Sequence, residues 1–404
     1  MAGANHSTIG DEKHMSTILV SQALVDGALV GPARLELDGG RLVSVVTGEA
    51  AEAGPPADVE LRDGTLTPGL LDLQNNGSFG ADFADATPQQ WAEVLAGLAS
   101  RGVTGVEPTI ITAPLGDLNA AFDRVHAAQT RHAEEPVCRI LGAHLEGPFI
   151  SEKRKGAHRA ECMLDPTPDA LDTLLSNPAT AEVLLTVTLA PERAHALEAI
   201  RRLVAQGVVV SVGHSDATAA EVWAAADAGA TMTTHIFNAQ RPLEHREPGV
   251  PGAVLADERF FIGTIIDGQH LDPSIVKVIF SAAPGRAIGV TDAIVTAGLP
   301  SHTPLMFGGQ PVANDDTGLG RRESGTIAGA GIVLDEGVRR MIAAGLDPAA
   351  VLASCTEVAA RSLRRADIGH LAPGSVADLV WWDAEWRPQR VWVGGVEVGA
   401  DGKA

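Results

Sequence analysis

The chain has 404 residues, 45% of them hydrophobic and 20% charged, which is enough for one large domain with a smaller one beside it. Its 51 acidic and 30 basic residues give a formal net charge of -21, arguing against nucleic acid or an anionic membrane as partner. The three cysteines, Cys138, Cys162 and Cys355, are odd in number and form no CxxC pair, so reduced thiols in a cytoplasmic compartment are expected, not a disulfide framework.

Residues 1–14 are polar and lack the apolar centre of a secretory signal, so they read as a disordered leader. No stretch approaches the roughly 18 apolar residues of a membrane helix. Residues 15–64 hold short alternating runs broken by glycine, and Asp38-Gly39-Gly40 between two of them is a hairpin signal. Residues 50–57 read as a small-residue loop.

From Thr65 the rhythm changes. Strand-like runs at 65–74, 103–111, 137–146, 183–190, 208–214, 230–236, 260–266 and 286–292 alternate with helix-period segments such as 89–101, 193–206, 217–228 and 273–283. Strand–helix alternation implies a parallel sheet covered by helices, and eight units predict a closed (β/α)8 TIM-type barrel over residues 65–367. No glycine-rich dinucleotide or P-loop fingerprint follows any strand. Residues 334–365 read as two helical segments parted near Gly345–Pro348. Residues 368–404 return to strands, and both chain ends are expected to pair into one small β-sandwich domain, its N-terminal part at 15–64. Cys138 reads as a small core residue and Cys162 as an ordinary loop cysteine.

Four of the runs deliver one chemically capable side chain at the C-terminal end: Glu146, His214, His235 and Asp292. In a barrel those ends share one mouth. A carboxylate and two neutral imidazoles form a three-ligand set for Zn²⁺ or a similar divalent ion, with Fe, Mn and Co also admitted. A fourth position is left for water, which such an ion turns into a nucleophile near neutral pH. Asp292 suits either a metal ligand or a proton shuttle.

Residues 68–77 (PGLLDLQNNG), His144–Pro148, Gly213-His214-Ser215, Thr234–Ala239 and Thr291-Asp292-Ala293 together resemble the N-acetylglucosamine-6-phosphate deacetylase family of the amidohydrolase superfamily, in order from about residue 17 to 395. The resemblance implies hydrolysis of the N-acetyl group of N-acetyl-D-glucosamine 6-phosphate to glucosamine 6-phosphate and acetate, with metal-bound hydroxide as nucleophile. It places the metal on Glu146, His214 and His235, makes Asp292 the general base and acid, and gives His158 the polarisation of the acetyl carbonyl. Where many amidohydrolases carry His-x-His, this chain has Gln74 and Asn76, poor ligands for a transition metal, which favours a single ion. Gln74 then either touches a weak second ion or bonds across the barrel floor. The resemblance implies substrate contacts at Ala157, Asn238, Ala239, Arg246, His270, Ile327, Ala328 and Gly329, with backbone N–H donors at Asn238 and Ala239. It also implies a homodimer in which a neighbouring subunit reaches the phosphate. Arginine suits phosphate because its planar fork donates paired hydrogen bonds. One departure from the family is Ala330, where serine is common. Two other readings are a deacylase of another N-acyl amino-sugar phosphate, or a cyclic-amide hydrolase, and a non-catalytic sugar-phosphate binder that keeps its metal.

Overall fold

The computed structural model describes residues 16–399, so the leader expected at 1–14 lies outside the described residues. Eight parallel strands form the centre: β1 (Leu70–Asn75), β2 (Val103–Ile111), β3 (Ala143–Glu146), β4 (Leu184–Leu189), β5 (Val209–Val212), β6 (Met232–Thr233), β7 (Phe261–Ile265) and β8 (Ala287–Val290). They pair in that order. The ring closes where the Asp292 N–H donates to the Gln74 carbonyl at 2.9 Å and Asn75 bridges Ala293. The chain is therefore a TIM-type barrel, as the strand–helix rhythm predicts.

Helices cover the outside. Pro88–Ser100 and Ala219–Asp227 start cleanly because Thr87 and Thr218 each close a capping box, with Gln90 and Glu221. One face of Leu115–Arg131 buries Leu118, Ala121, Phe122 and Val125 against the barrel. Both chain ends make the second unit. A sheet of Ser16–Val20, Ala33–Asp38, Arg41–Thr47 and Val59–Leu61 packs on one containing Ala23–Val25, Thr65–Pro68, Leu379–Trp382 and Pro388–Val393. Ile18, Leu35, Leu66, Leu379, Trp381 and Trp392 fill the space between them.

Four local readings differ. The run 65–74 is two strands, because Thr65–Pro68 pairs with Leu379–Trp382 and the chain crosses into the barrel at Gly69. A Cβ at Gly69 would overlap the Thr104 side chain, so only glycine permits that crossing. The small-residue loop near 50 contains a short helix, Glu49–Glu52. The helical region after residue 334 has three segments, Leu334–Ala343, Pro348–Ser354 and Glu357–Ser362. Between β8 and that region, four short antiparallel strands (Leu305–Phe307, Gln310–Asn314, Leu319–Arg322, Ile327–Ala330) form a sheet that the sequence reading missed. Cys162 is buried, as are Cys138 and Cys355, and all three are free.

The barrel interior is polar beneath its mouth. His144 Nε2 meets Thr188 Oγ1 at 2.7 Å, and Thr234 Oγ1 lies 2.5 Å from Thr188 and 2.6 Å from Ser211. Glu107 is fully buried on β2, and burial pushes its carboxyl from 4.5 up to about 8. Between those values the folded protein holds a proton that the unfolded chain has released. Stability therefore falls as pH rises through that window, by about 1.4 kcal/mol per pH unit. Glu107→Gln is expected to melt at progressively higher temperature than the parent from pH 5 to pH 8. A melting difference that is constant across that range would contradict it.

Candidate active site

The functional side chains stand where the strands stop. Glu146 ends β3, and Gly147 and Pro148 turn the chain away. His214, His235 and Asp292 each lie two residues beyond their strands, with φ of 47°, 28° and 51°. Such left-handed backbone costs a non-glycine residue roughly 1–3 kcal/mol. The surrounding ladder holds it in place: Ile236 N–H donates to Gly263 O at 2.8 Å, and Ala330 N–H to Asp292 O at 2.8 Å.

Three atoms converge. Glu146 Oε1 is 3.2 Å from His214 Nε2 and 2.8 Å from His235 Nε2, and the two Nε2 atoms are 3.1 Å apart. His214 Nδ1 lies 2.8 Å from the Arg154 carbonyl, which can only accept, so the ring proton is on Nδ1. Nε2 of a neutral His214 thus turns a lone pair toward a carboxylate oxygen and a second ring nitrogen. Such a contact needs a proton or a cation between the atoms, and the set of one oxygen and two nitrogens fits a divalent ion. Burial alone would raise the Glu146 carboxyl, but the positive charge that gathers beside it at His235 holds it well below the usual carboxylate range. Burial lowers His235, yet Glu146 outweighs this and pulls it up to about 9.

Asp292 behaves oppositely. Burial, reinforced by the charge of Glu146, pushes it up to about 7. Two neighbouring carboxylates thus differ, one firmly ionised and one able to exchange a proton near neutrality. Asn76 Nδ2 donates to Asp292 Oδ1 at 2.9 Å, and Gln74 Nε2 reaches the same oxygen at 3.4 Å and Glu146 Oε1 at 3.2 Å. Gln74 is therefore a neutral bridge between the two carboxylates. Both amides engage Oδ1, leaving Oδ2 for proton transfer.

His158 packs edge-on to His214, ring centroids 4.4 Å apart. Its Nδ1 lies 3.4 Å from the Thr112 N–H, which can only donate, and 2.8 Å from Thr112 Oγ1. The proton is therefore on Nε2. Burial, then His214, pushes its pKa down to about 3, so the ring is a neutral donor at physiological pH.

Asn76, Glu146, His158, His214, His235 and Asp292 line one cavity of about 180 Å³, together with Ala157, Asn238, Ala239, His270, Ile327, Ala328 and Gly329. His270 is held by Asp267, whose Oδ2 is 2.7 Å from His270 Nδ1. Of the two expected backbone donors, the Asn238 N–H already closes on the His235 carbonyl at 3.0 Å. Gly329 must be glycine, since a Cβ there would lie 2.6 Å from the Asp292 carbonyl oxygen. Arg246 is exposed, in the loop before the helix Gly249–Ala256, and does not line this chain's cavity. Ile111, Phe307 and Thr112 were not singled out from sequence. Ile111 and Phe307 form an apolar wall, and Thr112 orients His158. The one available signal was that Ile111 ends a predicted strand and Thr112 follows it.

A parallel barrel with a carboxylate–imidazole cluster at its strand ends is the arrangement of a barrel enzyme with a candidate divalent-metal site at its mouth. A family model described as "Amidohydrolase family" matches residues 65–398, and the chain belongs to the amidohydrolase family. It is 35% identical to N-acetylgalactosamine-6-phosphate deacetylase of Escherichia coli O157:H7, over 84% of this chain and 89% of that one. To N-acetylglucosamine-6-phosphate deacetylase of Vibrio furnissii it is 34% identical, over 82% of each. Among solved structures, the Mycobacterium smegmatis N-acetyl-D-glucosamine-6-phosphate deacetylase, a mutant in complex with N-acetyl-D-glucosamine-6-phosphate, superposes with a TM-score of 0.87 at 32% identity, covering 95% of this chain and 99% of that one.

Proposed function

We propose that this chain is a metal-dependent deacetylase that hydrolyses N-acetyl-D-glucosamine 6-phosphate to D-glucosamine 6-phosphate and acetate. The observation that carries this reading is the convergence of Glu146, His214 and His235 beside Asp292 and His158 in one cavity. Glu146, His214 and His235 would hold one divalent ion, zinc by preference. When bound, such an ion polarises the acetyl carbonyl and lowers the pKa of water.

The chain's own residues do the rest. Asp292 Oδ2 takes a proton from the attacking water as the new C–O bond forms. His158 Nε2–H donates to the oxygen on which negative charge develops. The C–N bond then breaks as Asp292 returns its proton to the sugar nitrogen, freeing the amine and acetic acid, which ionises to acetate. Ala157, Asn238, Ala239, His270 and the 327–329 backbone form the sugar-phosphate subsite. Arg246, exposed beside the exposed Leu243, suits a homodimer in which that loop faces the neighbouring subunit's cavity. No described helix is long and apolar enough to cross a membrane, and three free thiols suit a reducing, cytoplasmic location.

Acetate release from N-acetylglucosamine 6-phosphate by the zinc-loaded protein tests the proposal. Removing the 6-phosphate is expected to lower kcat/KM by about 100-fold or more, since charge-assisted hydrogen bonds are lost. Equal rates on both sugars would count against the phosphate subsite. The Escherichia coli relative's name makes the 4-epimer the natural second substrate, and comparing the two 6-phosphates ranks them.

A further inference from the structure

The segment after β3 folds back over the end of β5 and sets two functional groups at once. Ser151 N–H donates to the His214 carbonyl at 2.9 Å, and the Arg154 carbonyl accepts from His214 Nδ1 at 2.8 Å. A Cβ at Gly156 would lie 3.2 Å from His214 Cε1, so the segment rests on the imidazole. Ala157 and His158 follow and line the cavity. Within the segment there is only a single turn, Glu152–Arg154, with no side-chain cap.

An external tie comes from Asp216, two residues past His214. Its Oδ1 accepts from Arg154 Nε at 2.9 Å and lies 2.8 Å from Arg154 Nη2, while Oδ2 accepts from Lys153 Nζ at 3.2 Å. Asp216 is itself fixed. Its N–H donates to Glu192 Oε1 at 2.6 Å, its carbonyl accepts from Arg241 Nη1 at 3.2 Å, and neighbouring Ser215 Oγ donates to Glu192 Oε2 at 2.7 Å. The Arg154 contact is the sheltered one, with Arg154 31% exposed against 79% for Lys153. Two guanidinium N–H groups on one carboxylate oxygen set the direction of the arginine as well as its distance.

We propose that Asp216 is a positioning residue which, through Arg154, locks the His214 tautomer that offers Nε2 to the ion. This rests on the metal-site reading above. Without Asp216 the Arg154 carbonyl loses its side-chain anchor, and the His214 proton a firmly held acceptor.

The test is zinc affinity of the purified full-length chain, measured by competition with a chromophoric chelator, for the parent, Asp216→Ala, Arg154→Ala, the double variant and Lys153→Ala. Each of the first two single variants is expected to bind zinc about tenfold more weakly, the low end of the cost of losing an outer partner of a metal-bound histidine, because the Arg154 carbonyl is loosened but not removed. The double variant is expected to be no worse than either single one, because both remove the same tie. Lys153→Ala is expected to stay within about twofold of the parent, as a solvated contact does. At saturating Co²⁺, Asp216→Ala is expected to show an altered visible spectrum and a lower kcat with a smaller change in KM. Should Asp216→Ala fail to fold, Asp216→Asn keeps the shape without the charge and is expected to weaken zinc binding in the same direction. Zinc affinity in the folded Asp216 variant within about twofold of the parent, or losses that multiply in the double variant, would overturn the proposal. A parent that binds no zinc would sink the metal-site reading itself, whereas a zinc-binding parent with unchanged variants sinks only the tie.

Discussion

Asp292→Asn is expected to lower kcat by about 10³-fold, in the range that a general acid–base group contributes, while metal content stays that of the parent. The substitution is nearly isosteric. Its carbonyl oxygen can keep the Asn76 and Gln74 hydrogen bonds that Asp292 Oδ1 accepts, which puts the new NH₂ where Oδ2 stood. That group cannot take a proton from water or return one to the sugar nitrogen. Binding of the ion should survive, because Glu146, His214 and His235 converge without Asp292. The pH profile separates this role from a structural one. Asp292 must be ionised to act as base, and burial with Glu146 pushes its pKa up to about 7. A bound cation favours the carboxylate, so the acid limb of kcat/KM is expected below pH 7, falling about tenfold per pH unit. The residual activity of Asp292→Asn should lack that limb. An Asn variant with the parent's turnover would remove Asp292 from the chemistry.

The barrel could be read from sequence because strands buried on both faces are near-continuous apolar runs, each ended by a polar residue, as at Glu146, His214, His235 and Asp292. The break at Gly69 could not be read that way. Leu66 and Leu70 are both fully buried, and hydropathy does not register that one faces the sandwich core and the other the barrel core. The sheet over 305–330 escaped for another reason. Its strands are three to five residues long, and around them only Ile294, Val295, Phe307 and Val312 form a small buried cluster. So short a pattern looks like loop, although Gly308-Gly309 between the first two strands is a fair hairpin signal. The role of Thr112 depends on a contact 46 residues away along the chain, and the place of Arg246 depends on which way an exposed loop faces. Neither is a property of local sequence.

Glu146→Ala is expected to abolish stoichiometric ion binding and, with it, at least about 10³-fold in activity, since the polarising charge is lost outright. The argument concerns charge as well as ligand number. Glu146 is the one anionic member of the cluster, and the positive charge beside it holds it ionised against the cost of burial. Two imidazoles alone offer neutral nitrogens 3.1 Å apart and nothing to offset a divalent charge. Stability gives a readout that needs no substrate. The folded parent, with free zinc at 1,000 times its dissociation constant, should gain about 4 kcal/mol against unfolding. The variant should gain none of this, and its melting temperature should be indifferent to zinc and to chelator. Glu146→Gln refines the point, because it keeps the length and one oxygen but not the charge. If charge decides, Gln behaves like Ala; if the oxygen alone decides, Gln keeps most of the zinc-dependent shift. Zinc-dependent stabilisation that persists undiminished in both variants would mean the ion is held elsewhere, and His214 and His235 would then need another reason for facing one carboxylate.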